Sequence, residues 1–94
     1  MNYYQQFQES ALDALRAYPD VVVDAPEFEY ADAFVRTIRL SKGEKPVVWY
    51  ISAGGGELRR AAAEGEISVL AIEKVRDAVR SLYADAGLEL PRAH

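Results

Sequence analysis

Cysteine is absent from this 94-residue chain, and histidine occurs once, as the final residue, His94. Without thiols there is no disulfide, no thiolate metal site and no cysteine nucleophile. A single terminal imidazole leaves no ordered Ser-His or Cys-His constellation and no two-histidine metal motif. Long apolar runs are missing too, the longest falling far short of the roughly 20 residues a membrane helix needs. The opening residues MNYYQQFQES lack the basic and apolar stretches of a secretion signal. Basic residues are outnumbered: the formal net charge is -4. That disfavours nucleic-acid binding by the whole surface, which needs lysine and arginine to displace counterions, yet it is too mild for a DNA mimic. These absences predict a domain that is not an enzyme, uses no cofactor or metal, and suits a reducing cytoplasm.

What the chain has is an apolar half and a 28% charged fraction, the composition of one folded domain spanning residues 1–94. Its centre is the stretch FVRTIRLSKGEKPVVWYISA, Phe34 to Ala53, two apolar-rich runs joined by a polar loop, which predicts a β-hairpin. The loop is expected at residues 41–45, with Gly43 at positive φ and Pro46 opening the second strand. Side chains alternate between faces along a strand. Val47, Trp49, Ile51 and Ala53 therefore share one side and Val48, Tyr50 and Ser52 the other. In the first strand Phe34, Ile38 and Leu40 lie with Arg36, opposite Val35, Thr37 and Arg39. Both sides of the second strand are apolar, so either it is covered twice or its second face is a contact surface.

Flanking segments read as helices. Tyr4, Phe7, Ala11, Leu15 and Tyr18 form one stripe over residues 3–18, with Asn2 as N-cap and Pro19 as terminator. Val69, Ile72, Val75, Val79, Leu82 and Ala86 form another. Ser68 is its expected N-cap, Ile67 and Ile72 a hydrophobic staple, and Gly87 with Leu88 a Schellman ending. Val21 to Val23 reads as a short strand. Residues 58–63, after the triple glycine, are ambiguous and lean towards a third hairpin strand. Residues 24–33 have no clear period and admit a loop, an extended edge or the first turn of a helix through Phe34. Residues 89–94 are expected to fray. The fold class is α+β: a two-layer sandwich of a small antiparallel sheet, three or four strands, with the N- and C-terminal helices on one face.

Three chemical readings are weak on their residues. Glu27 and Glu29 share a face if extended, but two solvated acids is the ordinary reading of such a pair. The acids Asp20, Asp24, Glu27, Glu29 and Asp32 lack the spacing and glycine of a calcium loop. Gly54 to Gly56 match no phosphate-binding pattern, and Glu57 would repel an anion there.

Charge distribution says more. Five acids and no base lie between Arg16 and Arg36, interleaved with Phe28, Tyr30 and Phe34, while Arg36, Arg39, Lys42 and Lys45 make the hairpin basic. The two regions either neutralise each other or form a docking surface, since aromatics enrich interface cores and charge selects partners. The residues expected to contact a protein partner are Asp24, Glu27, Phe28, Glu29, Tyr30, Asp32, Val35, Val48 and Tyr50. The function so indicated is a non-catalytic protein-binding domain, an inhibitor or adaptor, whose partner bears basic surface. The alternatives are a homodimeric structural module and nucleic-acid binding through the basic hairpin 36–45.

Overall fold

The computed structural model describes residues 2–24 and 33–91. Its elements run α1 (Tyr3–Leu15), β1 (Val21–Val23), β2 (Ala33–Leu40), β3 (Val48–Gly54), α2 (Gly55–Glu64) and α3 (Ile67–Ala86). The strands form one antiparallel sheet in the order β1-β2-β3. Residues of α1, α2 and α3 join Phe34, Ile38, Leu40, Ile51 and Ala53 in a single core on the inner face of the sheet. The α+β sandwich expected from the sequence is therefore the fold, with three strands and one more helix than expected among the described residues.

The hairpin sets the core. Phe34 pairs with Ala53, Arg36 with Ile51 and Ile38 with Trp49, so the alternation of side chains turns Phe34, Ile38, Ile51 and Ala53 inward together. The last paired residues are Arg39 and Val48, which makes the connection longer than the predicted loop. Ser41 is drawn to the other neighbour, its N–H and its Oγ both donating to the Asp20 carbonyl at 2.8 and 3.1 Å. Gly43 has the expected positive φ, 105°.

The α1 helix opens as read: the Asn2 Oδ1 accepts from the Gln5 N–H at 2.9 Å. It closes at Leu15, earlier than the stripe suggested, because Arg16, Ala17 and Tyr18 donate to carbonyls three residues back and tighten the end. Phe7, Ala11 and Leu15 are buried, and the Phe7 ring meets Phe34 edge-on with centroids 4.8 Å apart.

Residues 58–63 are helical, and the expected strand is wrong. Gly54 is extended and the Glu57 carboxylate reaches back to its N–H at 3.2 Å, so the chain starts a helix as soon as the strand ends. Arg59 to Glu64 are all helix-tolerant and none is β-branched. Leu58 and Ala61 enter the core. Gly65 closes α2 in the left-handed conformation, with the Glu66 N–H on the Ala61 carbonyl at 2.8 Å, a Schellman ending.

That tight corner also shifts α3. The helix begins at Ile67, with Glu66 rather than Ser68 in the N-cap position, and the Ser68 Oγ lies 3.0 Å from the Ser10 Oγ of α1. The buried stripe is Ile67, Ala71, Val75, Ala78, Val79, Leu82 and Tyr83, whereas Val69 and Ile72 stand 51% and 44% exposed. Ile72 is thus no staple, and the buried Ala71 and Ala78 take positions in the stripe that the sequence reading leaves out. Gly87 ends α3 as expected, at φ 67°, with the Leu88 N–H bonded to the Tyr83 carbonyl at 3.0 Å. Beyond it, Leu90 packs on the core.

Gly65 and Gly87 have open space where a Cβ would stand, so an alanine there meets only the left-handed backbone penalty. Gly65→Ala and Gly87→Ala should each lower stability by about 1 kcal/mol, read as a shifted urea midpoint at unchanged slope.

Candidate functional site

The outer sheet face is built by the even residue of β1 and alternate residues of β2 and β3. Across the strands, Val22 stands opposite Arg39 and Arg39 opposite Val48; Thr37 is opposite Tyr50 and Val35 opposite Ser52. All three helices bury their apolar residues on the inner face, and among the described residues no helix covers this one. Tyr50 is 58% and Val48 46% exposed, while Val22, Val35 and Thr37 are half-buried by their neighbours. Trp49 belongs to the inner side but, at the open end of β3, keeps 38% of its surface.

Of the residues expected to bind a partner, Val35, Val48 and Tyr50 come together on this face, and Asp24 lies at its border, donating its N–H to the Thr37 carbonyl at 2.9 Å. Glu27, Phe28, Glu29, Tyr30 and Asp32 lie outside the described residues. Val22 and Ser52 complete the surface; strand parity marks Ser52, whereas Val22 needs the register of β1.

Among the described residues, two acids of the acidic segment are matched to hairpin bases. The Asp24 Oδ1 accepts from the Arg39 Nε at 3.0 Å, and the Lys42 Nζ stands 3.0 Å from the Asp20 Oδ2. The bond to Asp20 holds the Lys42 pKa above its ordinary value. Arg36 points inward, donating to the Gln8 Oε1 and to the Val35 carbonyl, each at 2.9 Å, with its guanidinium 4.8 Å from the Phe34 ring centre. Three of the four hairpin bases therefore already have partners, which leaves little free charge for phosphate.

Two concavities lie elsewhere. A groove of about 380 Å³ between α1 and the inner sheet face is lined by Leu12, Leu15, Val23, Phe34 and Ile51, with Arg36 at its rim. A shallower cleft of about 210 Å³ separates α2 from α3 under Glu57, Glu64, Glu66 and Glu73. Among the described residues no group of three or more His, Cys, Asp or Glu side chains is placed to hold a metal, and no helix is long and apolar enough to cross a membrane. At the triple glycine, the Glu57 carboxylate already occupies the Gly54 amide and takes a 3.0 Å bond from the Lys74 Nζ, so its own chain supplies the anion.

The Lys74 bond, then the Gly54 amide, hold the Glu57 pKa below the ordinary carboxylate value of 4.5 against the opposing effect of burial. A carboxylate depressed in the folded state stabilises above its unfolded pKa, and that contribution is lost as pH falls through the folded value. Glu57→Gln should therefore flatten the loss of stability below about pH 4.5, measured as urea midpoints across an acid series. Tyr83 is buried, its hydroxyl has no hydrogen-bond partner among the described residues, and burial raises its pKa. Tyr83→Phe removes that unsatisfied group and should raise stability by about 1 kcal/mol in the same assay.

Comparison with protein-family models, with curated proteins and with solved structures finds no match to this chain.

Proposed function

We propose that the chain is a non-catalytic protein-binding domain, an inhibitor or adaptor, that engages its partner with the outer sheet face. The observation that carries the reading is the pair Val48 and Tyr50, standing 46% and 58% exposed on a face the helices leave open. An aromatic ring beside a β-branched side chain on a flat sheet supplies the apolar centre of an interface. Val35 extends that centre. Asp24 borders it, and the sequence's acids Glu27, Glu29 and Asp32, interleaved with Phe28 and Tyr30, favour a partner with basic surface. The lack of cysteine suits action in the cytoplasm. Nucleic acid is the poorer fit, because Arg36, Arg39 and Lys42 are engaged within the chain.

The test is co-purification from the native host with mass spectrometry, comparing the unaltered chain with Val48→Ala/Tyr50→Ala. Truncating central anchors should reduce recovery of a specific partner by about tenfold or more, with far-ultraviolet circular dichroism unchanged. Equal recovery by both chains defeats the proposal.

A further inference from the structure

Among the described residues, the β3 strand is the long free edge of the sheet. Its seven residues, VWYISAG, contain no charge and no proline, the devices that usually keep such an edge from pairing. The opposite edge, β1, is three residues long and flanked by the Asp20–Lys42 and Asp24–Arg39 pairs. One edge is guarded and the other is not.

Hydrogen-bond parity identifies the free groups. In an antiparallel sheet each residue directs both its N–H and its C=O to the same side, and successive residues alternate. Thr37 accepts from Asp24, and Ser41 donates to Asp20, so the odd residues of β2 face β1. The even residues Phe34, Arg36 and Ile38 face β3, where they oppose Ala53, Ile51 and Trp49. Val48, Tyr50 and Ser52 must then direct their backbone groups outward, away from the sheet. None of these three has a hydrogen-bond partner there among the described residues. The open row stops at Gly54, whose N–H is taken by Glu57.

We propose that a second copy of this chain occupies that edge, β3 pairing antiparallel with β3 about a two-fold axis at Tyr50. In this register Tyr50 opposes its counterpart and Val48 opposes Ser52 of the other copy, so every free donor and acceptor is used. Shifting the axis to Ile51 would require the Gly54 amide that Glu57 already holds, and shifting it to Trp49 would set Ser52 opposite Pro46, which has no N–H to give. The uncharged strand brings no like charges together, and antiparallel pairing sets the Lys45 end of one copy beside the Glu57 end of the other. The two Tyr50 rings would lie side by side on the outer face, an aromatic cross-strand pair. Two three-stranded sheets then become one of six strands with short, charged edges. The outer face stays open and doubled, so this inference does not depend on the partner proposed above.

Sedimentation of the full chain at high micromolar concentration should show a dimer. Ser52→Pro removes an outward N–H without touching the β2 ladder, and edge strands tolerate proline there. It should give a monomer with native circular dichroism. Tyr50→Lys, which sets like charges opposite each other, should do the same should the proline variant not fold. Because the chain has no cysteine, a single introduced thiol reports the register. The two copies of residue 50 would have Cα atoms about 5.5 Å apart, within disulfide range, whereas the two copies of residue 52 would be more than about 13 Å apart. Tyr50→Cys should therefore cross-link on oxidation and Ser52→Cys should not. A monomeric unaltered chain, a dimer that survives the edge variants, or cross-linking at residue 52 in place of residue 50 overturns the proposal.

Discussion

The register between β2 and β3 is the constraint on which the rest of the molecule depends. With Ile38 opposite Trp49 and Phe34 opposite Ala53, one face of the hairpin becomes a continuous apolar floor. A slip of β3 by one residue against β2 would turn Val48, Tyr50 and Ser52 inward and leave Ile51 and Ala53 in water. Phe7 and Leu15 of α1, Leu58 of α2 and Val75, Val79 and Leu82 of α3 all close over that floor. Burial of these side chains is the main source of stability in a domain this small.

The same register leaves surface unspent. Three helices suffice for one face of a three-stranded sheet, and the second face keeps an exposed tyrosine and valine beside an unpaired strand edge. Face and edge ask for different occupants. The face offers apolar area, which accepts many shapes, while the edge offers spaced donors and acceptors, which accept only an extended strand. Both converge on Val48, Tyr50 and Ser52, because the backbone and side-chain alternations of a strand share a period of two.

Local chemistry placed most of the elements correctly. Asn2 at the head of α1, Gly43 in the hairpin loop and Gly87 with Leu88 after α3 all sit where their conformational preferences put them. Local reasoning failed around residues 54–72. The triple glycine reads locally as a hairpin turn, yet the Glu57 carboxylate folds back on Gly54 at the start of α2. Hydrophobicity favours Val69 and Ile72 for the α3 stripe, but the buried positions belong to Ala71 and Ala78. On the candidate site, the membership of Val35, Val48 and Tyr50 in one face was legible from parity, while the pairing of Asp20 and Asp24 with hairpin bases was not, since it joins residues distant in the chain.

The sequence by itself determined the hairpin, the two faces of each strand, the flanking helices and the absence of thiols, because these follow from side-chain type and nearest-neighbour geometry. Only the tertiary structure decided that β3 lies at the edge, that all the helices share one face, and which acid neutralises which base. Those outcomes depend on which surfaces bury the most apolar area together, a property of the whole packed chain that no local window contains.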